Sequence, residues 1–145
     1  MTGLDRSTTM VARARKNTPD CNFVEGDALA LPLDDSRFDV AFAASVVNVV
    51  PEPEKLVNEM ARVVRPGGRI SVLFPTPALM ADAPQIGKQR GLSGLSAAAL
   101  ATWAQNAPKR ETGAIETLFK QAELSDVHVD RFFGGAVASV TGRVG

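Results

Sequence analysis

Asn22–Phe74 reads NFVEGDALALPLDDSRFDVAFAASVVNVVPEPEKLVNEMARVVRPGGRISVLF, and the order of its signals decides the fold class. Asn22 to Glu25 is a short strand, Gly26 to Arg37 a loop rich in turn residues, and Phe38 to Ala44 a nearly continuous apolar strand. A strand of that kind expects cover on both faces, as in a parallel sheet. Pro51 to Glu54 then opens a helix that places Leu56, Met60, Val63 and Val64 on one side. Pro66-Gly67-Gly68 ends it, because these residues do not continue a helix favourably. Arg69 to Phe74 is the next buried strand. This alternation belongs to an α/β sheet rather than to segregated layers.

Upstream, Met1 to Leu4 leads into a helix capped by Ser7 and running to about Asn17, with Met10, Val11 and Ala14 as its apolar stripe. Pro19 and Asp20 mark the turn after it. Downstream, Pro75, Pro77 and Pro84 and the run Gly87 to Gly94 read as an excursion from the sheet, spanning about residues 75–107. An alanine-rich helix is expected from Ser96 to about Gln105, and another from Glu111 to Ala122 with Ile115, Leu118 and Phe119 facing the core. Val127 to Phe133 and Val137 to Arg143, separated by Gly134-Gly135, read as an antiparallel hairpin. The expected sheet is therefore mostly parallel with an antiparallel C-terminal pair.

At 145 residues, 45% hydrophobic and 22% charged, the chain suits one domain over residues 1–145. Sixteen basic side chains balance sixteen acidic ones, which lacks the electrostatic footprint of non-specific nucleic-acid binding. The lone Cys21 forms no internal disulfide, and no apolar run approaches the roughly 20 residues of a membrane span. The first residues also lack the apolar core of a signal peptide. A cytoplasmic protein is expected, with neither nucleic acid nor membrane as partner and with no metal.

In open α/β sheets the chemistry lies at the carboxyl ends of the strands. Asp5 follows the first strand, Asp27 and Ala28 the second, and Ala43 to Ser45 close the third. An ionised carboxylate only accepts, so Asp5 suits the two adjacent hydroxyls of a ribose and Asp27 an exocyclic adenine amine. The Ala28 N–H can face a ring nitrogen, and small residues at Ala43 and Ala44 allow a bulky ligand close to the backbone.

Gly3-Leu4-Asp5-Arg6-Ser7, Gly26-Asp27-Ala28 with Leu31-Pro32, Phe38-Asp39-Val40 and Arg62-Val63-Val64-Arg65-Pro66-Gly67-Gly68-Arg69 resemble, in order and spacing, the class I S-adenosylmethionine-dependent methyltransferases. The resemblance is to the small-molecule branch that includes ubiquinone and menaquinone enzymes, and it covers roughly residues 1–74. It implies a Rossmann-like sheet with S-adenosylmethionine as cofactor, Asp5 on the ribose, Asp27 and Ala28 on the adenine, and Ala43, Ala44 and Ser45 along the methionine portion. It also puts Asn48 near the methyl donor and gives the Arg-Pro-Gly-Gly turn a structural role only. Members of this family usually begin with a strand and an Asp-x-Gly-x-Gly-like loop that precede the first strand seen here.

Without that strand, Phe38 to Ala44 presents an unpaired edge, which invites association. Either the N-terminal residues slide in beside it, or another chain, a second copy or a partner, supplies a strand. The expected function is methyl transfer to a small, apolar molecule, with Met80, Leu92, Leu95 and Trp103 of the excursion as candidate pocket residues. No residue reads as a general base, and His128 reads as an ordinary surface histidine. The alternative is a non-catalytic methyltransferase-like module kept for interaction. A nicotinamide-dependent oxidoreductase ranks third, since its glycine fingerprint is equally missing.

Overall fold

The computed structural model describes residues 1–145. Strands β1 (Thr2–Asp5) and β2 (Asn22–Glu25) pair in parallel, from Thr2 opposite Asn22 to Asp5 opposite Glu25, with helix α1 (Thr8–Asn17) connecting them. Ser7 caps α1, its hydroxyl accepting from the Met10 N–H at 3.3 Å. The apolar stripe is narrower than expected, because Val11 is buried while Met10 faces outward. Arg15 fastens α1 to β2 by donating to the Phe23 carbonyl at 2.6 Å.

Four further strands form a second sheet: β3 (Phe38–Ala44), β4 (Val64–Pro75), β5 (Ser125–Phe132) and β6 (Val137–Arg143), in the order β3-β4-β6-β5. β3 runs parallel to β4, whereas β4–β6 and β6–β5 are antiparallel, so the sheet is mixed as the terminal hairpin requires. No ladder joins the two sheets. The N-terminal residues do not slide in beside β3, because they are paired with β2. β1 and β3 therefore each keep one unpaired edge.

One face of the larger sheet is covered. Helices α2 (Val46–Val49), α3 (Pro53–Val63) and α6 (Thr112–Gln121) bring Val47, Leu56, Val57, Ile115 and Phe119 against Ile70, Val72, Phe74 and Val140, all essentially inaccessible. On the opposite face, Val40 and Phe42 stand in register with Arg69 and Ser71 and are 59% and 62% exposed. The expected two-sided cover of β3 is thus met on one side only, for no helix of the chain lies over the other. That face also carries a hydroxyl pair, Thr141 donating to Ser71 at 2.9 Å.

The Arg-Pro-Gly-Gly segment is a bulge inside a strand rather than a turn. α3 passes directly into β4, where Val64 opposes Phe38 and Arg69 opposes Val40, so the four residues between loop out opposite Asp39 alone. A Cβ on Gly68 would lie 2.6 Å from the Asp39 carbonyl oxygen, which explains glycine there. The bulge is closed by the Gly67 N–H on the Val144 carbonyl at 2.9 Å and the Val144 N–H on Gly68 at 3.0 Å.

The excursion is also more regular than its prolines suggest. It forms two packed helices, α4 (Ala78–Gln89) and α5 (Gly94–Asn106), with a small core of Leu79, Ala83, Ala104 and Ala136. Pro84 lies inside α4 on the exposed side. The helix is held by burial of Leu79, Ala83 and Gly87 against α5, which outweighs one lost backbone hydrogen bond. Between β5 and β6, Phe133–Gly135 make a short 3-10 turn in which Phe133 has φ 53°, a left-handed conformation rare outside glycine.

Candidate functional site

The carboxyl ends of both sheets meet at a cavity of about 400 Å³. Asp5 and Arg6 reach it from the end of β1, Asp27, Ala28 and Leu29 from the turn after β2, and Val46, Val49 and Val50 from α2 and its exit. Each carboxylate spends one oxygen on its own turn. Asp5 Oδ1 accepts from the Ser7 N–H at 2.8 Å and Asp27 Oδ1 from the Leu29 N–H at 2.9 Å. Their second oxygens make no hydrogen bond within the chain, and neither carboxylate is ion-paired. The Ala28 N–H likewise donates to no group of the chain. Two free acceptors and one free donor thus rim a floor of Leu29, Val46 and Val49.

A second cavity, of about 460 Å³, lies between the end of the larger sheet and the α4–α5 pair. Its walls come from Leu73 and Phe74 of β4, Leu79 and Ile86 of α4, and Leu100 and Trp103 of α5. Ser45, Arg90 and the indole N–H of Trp103 are its hydrogen-bonding side chains. Ser45 holds a left-handed conformation at φ 60°, fixed by its N–H on the Leu73 carbonyl at 2.7 Å. Because Ser45 lines this cavity and Val46 the other, the two adjoin at the end of β3.

Comparison with known proteins agrees with this geometry. A methyltransferase-domain profile matches residues 1–72. The phosphatidylethanolamine N-methyltransferase of Cereibacter sphaeroides is 40% identical over 79 residues, covering 50% of this chain and 39% of that protein. The demethylmenaquinone methyltransferase of Desulfitobacterium hafniense is 30% identical over 161 residues, covering 99% of this chain and 63% of that protein. The chain belongs to the class I S-adenosylmethionine-dependent methyltransferases. Their fold is also that of a solved S-adenosylmethionine-dependent methyltransferase, possibly a histamine N-methyltransferase, from Thermotoga maritima. It superposes with a TM-score of 0.74 at 20% identity, over 98% of this chain and 72% of that one. The chain spans less than two thirds of the length of these curated relatives.

The methyltransferase cofactor is S-adenosylmethionine, and the first cavity suits its adenosine half. Free acceptors at Asp5 and Asp27 and a free donor at Ala28 match the donor and acceptor pattern of ribose and adenine, and an apolar floor matches a ring. Other expected residues lie elsewhere. Ala43 is buried on the core face opposite Val72, and Ala44 is exposed at the strand end. Neither lines either of the two cavities described, whereas Ser45 lines the second. Asn48 is turned inward, its amide donating to the Pro75 carbonyl at 3.3 Å and the Pro108 carbonyl at 2.7 Å, so it ties α2 to two chain segments. Trp103 lines the apolar cavity, while Met80 is 58% exposed outside it. His128 is exposed on β5, away from both cavities.

Arg6, Arg90 and Phe133 were not expected. Arg6 was discoverable, since it directly follows Asp5 at a strand end. Arg90 and Phe133 meet only through the tertiary packing of α4 against the β5–β6 turn, for which the sequence carries no local signal.

A clamp sets the loop that carries Asp27. Arg62 donates to the Leu31 carbonyl at 3.0 Å, the Leu33 carbonyl at 2.8 Å, the Asp35 carboxylate at 2.5 Å and both Glu59 oxygens at 2.7 and 2.8 Å. Glu59 in turn accepts from the Leu31 N–H at 2.6 Å. The Arg62 hydrogen bonds hold the Glu59 carboxyl below its ordinary value against the opposing effect of burial, with Leu31 adding to them. The same pair pushes Arg62 above its ordinary value.

Proposed function

We propose that this chain takes part in S-adenosylmethionine-dependent methyl transfer to a small, apolar acceptor of the quinone type, in the cytoplasm. The observation that carries the reading is the adjacency of two unlike cavities, one rimmed with adenosine-matched polar groups and one apolar, at Ser45–Val46. When bound, the sulfonium supplies an already activated methyl group, so the protein's share is positioning and exclusion of water. Asp5, Asp27 and Ala28 orient the adenosine, and Leu79, Leu100 and Trp103 hold the acceptor in a dry pocket. No carboxylate or imidazole lines that pocket to serve as a base.

Calorimetric titration with adenosine and with S-adenosylhomocysteine tests this. Both are expected to bind, and Asp27→Asn is expected to weaken both about tenfold, by exchanging an acceptor for a donor against the adenine amine. No detectable binding of either at millimolar concentration would sink the reading.

We further propose that a strand from another polypeptide, a second copy or a partner, seats between β1 and β3 and completes the methionine side of the site. The unpaired edges of β1 and β3 and the exposed Val40 and Phe42 support it. The same features favour the alternative of a non-catalytic interaction module, should the titrations fail. Sedimentation of the purified chain at micromolar concentration is expected to show self-association, or complex formation once the partner is added. A well-folded species that stays monomeric with every added partner argues against completion by another chain.

A further inference from the structure

We propose that Arg90 is a specificity determinant of the apolar cavity, selecting acceptors that carry an ionised hydroxyl oxygen over acceptors that carry an amine. This rests on reading that cavity as the acceptor site. Arg90 is the one charged side chain in a lining whose other polar groups are the Ser45 hydroxyl and the Trp103 indole N–H. Its guanidinium makes no hydrogen bond or ion pair within the chain, although Asp82 of the same helix approaches the neighbouring turn at Gly134. Arg90 follows the last turn of α4, and its guanidinium carbon lies 5.1 Å from the centroid of the Phe133 ring.

Phe133 is itself held in place. Its φ of 53° is one that non-glycine residues rarely adopt, and the turn is fastened by Thr76, whose hydroxyl donates to the Gly135 carbonyl at 2.6 Å and whose N–H donates to Ala136 at 3.0 Å. The cation therefore stacks on a fixed ring at the edge of an apolar wall, with its hydrogen-bond donors unspent. Such a group lacks only an anion. A hydroxyaromatic acceptor that gives its proton to water supplies one. An aliphatic amine, protonated near neutral pH, meets a like charge and finds no carboxylate in the lining to take its proton.

Three naphthalenes of similar shape separate these cases: a nitronaphthol that is ionised at neutral pH, its neutral methyl ether, and naphthylmethylammonium. Trp103 is the only tryptophan of the chain and lines the cavity, so quenching of its fluorescence reports binding. The anion is expected to bind roughly tenfold more tightly than the ether, and the ammonium more weakly than the ether. Arg90→Gln is expected to erase the preference for the anion while leaving ether binding within about twofold, and Arg90→Lys to keep most of it. Retention of the preference in Arg90→Gln, or its absence in the unsubstituted protein while the ether binds, overturns the proposal alone. Failure of all three naphthalenes to bind overturns the acceptor-site reading with it.

Discussion

Arg62→Ala is expected to lower the denaturant midpoint by more than an ordinary surface substitution does, although residue 62 touches neither cavity. The substitution removes five hydrogen bonds at once and leaves the partly buried Glu59 carboxylate without its cation. Arg37→Ala, which breaks the exposed pair with Asp34 and a cation–π contact at 5.7 Å from the Phe38 ring centroid, is the control and is expected to cost no more than about 1 kcal/mol. Amide exchange should localise the damage to Leu29–Leu33, since these residues lose their tie to α3. The pH dependence follows from the direction of the Glu59 shift. A carboxyl whose folded value lies below its ordinary 4.5 contributes stability that is fully present above about 4.5 and is lost as pH falls through the folded value. Glu59→Gln should therefore be less stable than the unsubstituted protein at pH 6, and the gap should narrow progressively as pH falls below about 4.5. A gap that does not narrow on acidification would show that the charge of Glu59 is not what the clamp uses.

The legible parts of this fold were those written in local pattern. The strands Asn22–Glu25 and Phe38–Ala44, the cap at Ser7 and the carboxylates at the strand ends all depend on residues close in sequence. The Arg-Pro-Gly-Gly segment reads as a helix stop from its composition, yet its role is set by Asp39 and Val144, which press on it from other elements. α4 was hidden for a related reason. A proline and a glycine argue against a helix locally, and only burial of Leu79, Ala83 and Gly87 against α5 makes the helix favourable. Asn48 shows the same limit at the site. Its position at the end of β3 suggests contact with a ligand, but the carbonyls of Pro75 and Pro108, which no local pattern brings near, take its amide N–H donors and leave only Oδ1 without a partner. Arg90 and Phe133 lay beyond reach because a cation stacked on a ring depends on how an excursion folds back on a hairpin turn.

Asp5→Ala is expected to weaken binding of S-adenosylhomocysteine by roughly a hundredfold, the loss of two hydrogen bonds from ribose hydroxyls to one carboxylate. The contact depends on which oxygen is free. Asp5 Oδ1 is engaged by the Ser7 N–H, and Oδ2 has no partner, so the side chain is already fixed by its own turn with an acceptor pointing nowhere else in the chain. A ligand that uses it pays little ordering entropy, and that preorganisation makes the contact strong. The same turn could make Asp5→Ala act through α1 instead. Ser7→Ala separates the two effects, because it removes the cap on Met10 without touching the carboxylate, and it is expected to leave affinity within about twofold. Adenosine supplies the second check. If Asp5 acts on the ribose, the fractional loss must be the same for adenosine as for S-adenosylhomocysteine, since both present the same hydroxyls. A loss confined to S-adenosylhomocysteine would instead move Asp5 to the methionine side of the site, next to the open edge of β3.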